Sequence, residues 1–174
     1  MKKLMPLLSL FLISFNIYAS AIQGFGRVNM KGTIVETPCL IDTGSDDQSI
    51  NLGVIPISYI SQNGASQEKK FSIKLIDCQL VSSVNENIQW ENFEVTFNGA
   101  SKGNYYTVNG DARGVVLQIK DINDQTAVPG KSMDKIKISS GDMFLDYKIR
   151  LVADGSDVRA GDFHTIIIYK ISYY

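Results

Sequence analysis

The sequence predicts an all-β sandwich in one domain, and three observations lead there. Short apolar runs recur at intervals of roughly 8–20 residues between turn signals. β-branched residues are frequent, which suits a pleated, half-buried surface. No window holds an apolar period of 3.6 residues over three turns between sensible caps.

The elements follow in order. Gly26 to Val35 alternates, and Ser49 to Val54 is a short run after Gly44-Ser45-Asp46-Asp47. Ile55 to Lys70, with Pro56 and Asn63-Gly64, is expected to be the longest irregular stretch. Phe71 to Ile76 and Phe93 to Phe97 alternate as strands do. Tyr105 to Val108 stops at Asn109-Gly110, a tight-turn signal. Val115 to Ile119 follows Gly114, and Met143 to Val152 and Phe163 to Tyr173 are the last long runs.

Residues 1–21 have a different purpose. Met-Lys-Lys, an apolar run from Leu4 to Ile17 and then Tyr18-Ala19-Ser20-Ala21 describe a secretory signal peptide. The run falls short of the roughly 20 residues that a membrane span needs. Cleavage is expected after Ala21, with Ala19 as the alternative. Losing Lys2 and Lys3 takes the net charge from −1 to −3.

Composition removes several functions. Seventeen basic and 18 acidic residues argue against a dedicated nucleic-acid binder. An apolar fraction of 44% excludes wholesale disorder. One His and two Cys leave little material for a zinc site, so no metal or other cofactor is expected. Export to an oxidising compartment predicts that Cys39 and Cys78 pair.

Two terminal segments carry the functional reading. From Ile22, the even positions Gly24, Gly26, Val28, Met30, Gly32 and Ile34 are apolar or small. The odd positions Gln23, Arg27, Asn29, Lys31 and Thr33 are polar, and Phe25 and Val35 break the pattern. At the other end, Thr165, Ile167, Tyr169, Ile171 and Tyr173 share one face of a strand with which the chain stops.

These segments bring a family into view. Gly32 lies seven residues before Cys39, with Lys31-Gly32-Thr33-Ile34-Val35 leading to Pro38-Cys39. Phe71 to Cys78, Val95-Thr96-Phe97-Asn98-Gly99, Gly114 to Ile119 and Ala160-Gly161-Asp162-Phe163, with Tyr173 penultimate, follow in order. Together, behind a signal peptide, they resemble the pilin subunits of the bacterial chaperone–usher pathway, of the type 1 and P-pilus kind.

The resemblance implies an incomplete immunoglobulin-like β-sandwich that lacks its last strand, completed by donor-strand complementation. It implies a structural subunit of an adhesive pilus, exported through the periplasm to the extracellular fimbrium. Its partners would be a periplasmic chaperone, an outer-membrane usher and neighbouring pilus subunits. No nucleic acid and no small-molecule substrate would be involved, and no cofactor. Residues 22–35 would be the donor extension, with Ile22, Val28 and Met30 entering the neighbour's pockets and Gly32 permitting close backbone approach. Residues 36–174 would be the pilin domain. Gly161, Thr165, Ile167, Tyr169, Ile171 and Tyr173 would line the groove and contact the chaperone. A minor or terminator subunit is the alternative to a rod subunit.

Two other classes compete. A secreted lectin or receptor-binding module would share the sandwich but carry a complete set of strands. Leu40-Ile41-Asp42-Thr43-Gly44-Ser45 matches the aspartic-protease signature, which in so short a chain would need a homodimer supplying Asp42 twice. No second apolar-Gly-Arg-Asp/Asn element accompanies it, and Asp-x-Gly-Ser is also ordinary turn chemistry. The expectation is therefore a protein without enzymatic activity.

Overall fold

The computed structural model describes Gly24, residues 26–32, Ile34 and residues 36–174. The chain divides into two units, Met1–Ile34 and Val35–Tyr174. The expected signal segment and Ile22 lie outside the described residues. In the first unit the described residues form neither helix nor strand, and Val28, Met30 and Ile34 are exposed. Their alternation has no ladder to join. A strand needs a neighbour to satisfy its N–H and C=O groups.

The second unit begins at the cysteines. Just after Cys39, β1 (Leu40–Ile41) pairs antiparallel with β2 (Lys69–Cys78), and Cys39 and Cys78 form the predicted disulfide. Next come β3 (Asn92–Gly99), β4 (Ser101–Lys102), β5 (Tyr105–Thr107) and β6 (Asn109–Gly110). Then follow β7 (Val115–Asp121), β8 (Ile136–Lys137), β9 (Gly141–Ala153), β10 (Phe163–His164) and β11 (Ile167–Tyr173). One sheet has the order β1-β2-β9-β7-β5-β4 and the facing sheet β11-β3-β8. A short β10–β6 pair stands apart from both.

Period-two patterning explains the core. Phe93, Val95 and Phe97 of β3 turn inward from the small sheet. Ile73 and Leu75 of β2, with Leu145, Ile149 and Leu151 of β9, face them from the large one. Val115 to Ile119 of β7 is buried along its whole length, which matches its unbroken apolar run except at Gln118. Gln118 is kept satisfied by Arg150, whose Nε donates to Gln118 Oε1 at 2.9 Å.

Two buried phenols behave differently. The Tyr106 hydroxyl donates to the carbonyl of Ala127 at 3.1 Å. The Tyr147 hydroxyl is buried without a hydrogen-bond partner among the described residues, its ring stacked on Phe71 at 5.4 Å and edge-on to Phe97 at 4.9 Å. Burial pushes the pKa of both phenols well above the ordinary value. Removing an unpaired buried hydroxyl removes a desolvation cost. Tyr147→Phe is thus expected to leave stability unchanged or raise it by up to about 1 kcal/mol in urea unfolding. A loss of more than about 1 kcal/mol would mean that the phenol has a partner after all.

The sequence reading needs three corrections. Asn109-Gly110, read as a tight turn, is β6 and pairs with β10. The stretch from Ile55 to Lys70 is not irregular throughout, because it contains α2 (Ile57–Asn63). Pro56 presets the entry, and Gly64, at φ 72°, closes the helix with its N–H on the Ile60 carbonyl at 2.7 Å. Seven residues are too few to show a helical period, so Asn63-Gly64 reads as a turn when it is a helix stop. Conversely, Ser49 to Val54 alternates but joins no ladder, for a reason that lies in the site.

Candidate functional site: an apolar groove beside the last strand

The strand β11 pairs with β3, in a register running from Ile167 opposite Gly99 to Tyr173 opposite Phe93. Among the described residues its other edge joins no ladder and is a row of backbone donors and acceptors. Both faces of that edge are apolar: Ile167 and Tyr169 turn inward, while Ile166 and Ile168 are 79% and 69% exposed. A flat, apolar, unpaired edge is a template for another strand.

Across from this edge runs the segment from Gln48 to Ile55. Ile50, Leu52 and Ile55 are half-buried and turn toward the core. The segment alternates from Ser49 to Val54, yet among the described residues it joins no ladder, with β11 or any other strand. Between the two lies a groove of about 1410 Å³. Phe71, Ile73, Leu117, Ile149 and Leu151, from the inner face of the large sheet, lie at its base.

One end of the groove is tied shut. Asp42 caps α1 (Thr43–Asp46), its carboxylate accepting the Gly44 N–H at 3.0 Å. The short helix buries Ser45, whose Oγ accepts the Lys74 N–H at 2.9 Å. The Ser45 carbonyl in turn accepts the Tyr169 hydroxyl at 2.8 Å. Asp42-Thr43-Gly44-Ser45 is therefore a capped turn that joins β2 to β11. Its aspartate is committed to a backbone amide, which accounts for the protease-like spelling in structural terms.

The predicted residues separate along β11. Gly161, Thr165, Ile167 and Tyr169 border the groove. A Cβ on Gly161 would collide with the backbone at Asp111 and Ala112, so glycine is needed for that approach. Ile171 and Tyr173 continue the same face beyond the tied end and pack against the core. The Tyr173 ring meets Phe93 at 5.9 Å and Trp90 at 6.5 Å, so Trp90 serves as a partly buried plug. Burial, with Tyr169 nearby, pushes the Tyr173 pKa up to about 12, and burial raises that of Tyr169 as well. Both phenols on the groove strand are neutral at physiological pH. In the first unit, Val28, Met30 and Gly32 are exposed, and a Cβ on Gly32 would meet nothing within 4 Å.

Sequence reasoning did not single out the opposite wall. Ile50 and Leu52 carried a signal, the alternation after Ser49, but alternation alone does not tell a paired strand from an unpaired wall, and Ile55, out of phase behind the exposed Val54, carried none. Among the described residues no group of three or more His, Cys, Asp or Glu is placed to hold a metal ion.

An immunoglobulin-like sandwich with one strand position left open defines a class, and the comparisons agree. The family model described as fimbrial protein matches residues 28–174. The PRS fimbrial major pilin protein of Escherichia coli is 30% identical over 159 residues, covering 88% of this chain and 98% of that protein. The PAP fimbrial minor pilin protein of Escherichia coli is 27% identical over 150 residues, covering 85% and 77%. In fold, the chain resembles the P pilus rod subunit PapA with a TM-score of 0.69 at 20% identity, over 79% of this chain and all of that one. A structure of a chaperone–usher pilus matches with a TM-score of 0.69 at 24% identity, over 87% and 97%.

The chain belongs to the fimbrial protein family. It is a structural pilus subunit with an incomplete immunoglobulin-like sandwich, which assembles with neighbouring subunits in an extracellular pilus.

Proposed function

We propose that the groove along β11 is the acceptor for an extended strand, and that residues 22–35 are the strand donated in return. The observation that carries this reading is the open edge of β11 beside an apolar groove of about 1410 Å³. A strand laid there would take main-chain bonds from β11 on one side and would give the segment from Gln48 to Ile55 a neighbour on the other. Ile22, Val28 and Met30 would enter the next subunit's pockets. Three or four such side chains would contribute roughly 5–10 kcal/mol at about 1.5–3 each. The contact is head-to-tail, so it extends into a fibre and need not close.

An open edge of this kind must be covered before assembly. A periplasmic chaperone supplies the covering strand, with Gly161, Thr165, Ile167, Tyr169, Ile171 and Tyr173 along its path. An outer-membrane usher then exchanges it for the extension of the next subunit. The pilin domain proper is 36–174. No chemistry is needed for any of these steps, which fits a protein without enzymatic activity.

Gly32 supplies the test. A bulky side chain there overpacks the approach of the donor backbone, a cost of about 1–3 kcal/mol, or roughly 5- to 150-fold in exchange. Gly32→Leu subunits should form the chaperone complex normally but be depleted from fibres to that extent. Incorporation at the native level would contradict the donor role.

A further inference from the structure

Besides β11, a second strand presents an edge at the groove. β1 pairs with β2 through Leu40 opposite Ile76 and Ile41 opposite Leu75. Among the described residues no strand continues that ladder along Lys74 and Ser72, which lie next on β2. Phe71 and Ile73 of the same strand lie at the base of the groove. An apolar strand entering the groove therefore meets two rows of backbone groups, one on β11 and one on β2, and such rows are chemically alike.

On β2, side chains continue the ladder that β1 leaves. The Asp42 N–H still reaches the Lys74 carbonyl at 3.0 Å, but the Asp42 carbonyl has turned into α1, where it accepts the Ser45 and Asp46 amides at 2.8 and 3.1 Å. In its place Ser45 Oγ accepts the Lys74 N–H at 2.9 Å. Two residues along the same edge, Gln48 Nε2 donates to the Ser72 carbonyl at 2.9 Å. Each side chain takes a position that a neighbouring strand's backbone would fill. The edge of β11 has no such cover among the described residues. Tyr174 and Asn92 exchange N–H···O bonds at 2.9 and 3.3 Å, so the even positions of β11 face β3. The odd positions, Ile167 and Tyr169 among them, turn their N–H groups to the free side.

Resting on the acceptor reading above, we propose that Ser45 and Gln48 determine which edge takes the strand: their side chains occupy the edge of β2 and confine strand addition to β11. Discrimination between two like edges has to come from what covers one of them. A strand that docked on β2 would first have to displace the Ser45 and Gln48 hydrogen bonds, whereas at β11 its backbone bonds are all gained.

The experiment is amide hydrogen exchange on the protein comprising residues 22–174, with and without a peptide of residues 22–35. In the native protein the peptide should slow exchange at Ile167 and Tyr169 and leave Ser72 and Lys74 unchanged. In Ser45→Ala/Gln48→Ala, Lys74 should exchange faster than in the native protein, and the peptide should now slow Ser72 and Lys74 by at least about tenfold. Gln48→Ala alone keeps the Ser45 bonds and should show the same slowing at Ser72, so the test does not depend on the double variant folding. Slowing at Ile167 and Tyr169 in every protein, with Ser72 unaffected in the variants, would overturn the steering role and leave the acceptor reading standing. Slowing at Ser72 in the native protein would do the same. No slowing at Ile167 and Tyr169 of the native protein would overturn both.

Discussion

Replacing both cysteines by alanine is expected to cost about 4 kcal/mol of stability, because the bond joins residues 39 apart in sequence and the chain-entropy model assigns a loop of that length about that value. The loss should also have a place. Cys39 stands immediately before β1, and β1 is a ladder of two residues. Beyond it, the wall of the groove hangs on few bonds. The Asp42 N–H reaches the Lys74 carbonyl at 3.0 Å, and Ser45 Oγ accepts the Lys74 N–H at 2.9 Å. Without the disulfide, the segment from Leu40 to Ile55 should open well below the energy of global unfolding. Urea unfolding gives the total, and hydrogen exchange at Asp42 and Lys74 gives the location. A loss under about 1 kcal/mol, with unchanged exchange there, would refute this view of the bond.

The wall's weak attachment has a counterpart at its base. Glu36 accepts hydrogen bonds from the Ser82 and Ser83 hydroxyls and from the Ser83 and Val84 amides, between 2.8 and 3.3 Å. The Ser82 hydroxyl above all holds the Glu36 pKa below its ordinary value. The root of the pilin domain is thus fixed at Glu36 and again at Cys39, just before the chain enters the groove wall.

Much of this was legible in the sequence, for identifiable reasons. β2, β3, β9 and β11 alternate, and alternation is set by backbone geometry alone. The disulfide followed from an export signal and a count of two cysteines. The open side of β11 was expected from the family resemblance. What alternation could not reveal was pairing. Ser49 to Val54 and Gly26 to Val35 have the pattern of strands, yet the first is the unpaired wall of the groove. The described residues of the second are exposed and join no ladder. Helix α2 was missed because two turns give no readable period. The Ser45–Tyr169 tie, across 124 positions, is a tertiary contact that no local pattern encodes. It also divides the predicted face of β11, with Thr165 to Tyr169 on the groove and Ile171 and Tyr173 in the core packing.

The central claim is that this sandwich is short of one strand and that residues 22–35 fit the place. The most direct measurement is a pair of thermal melts. One protein comprises residues 36–174, and the other carries residues 22–35 after Tyr174 through a flexible linker. With roughly 5–10 kcal/mol of side-chain burial at stake, and about 2–4 °C per kcal/mol for a chain of this size, the melting temperature should rise by at least about 10 °C. Two well-folded proteins that melt at the same temperature would mean that the groove takes no strand, and the sandwich would have to be regarded as complete.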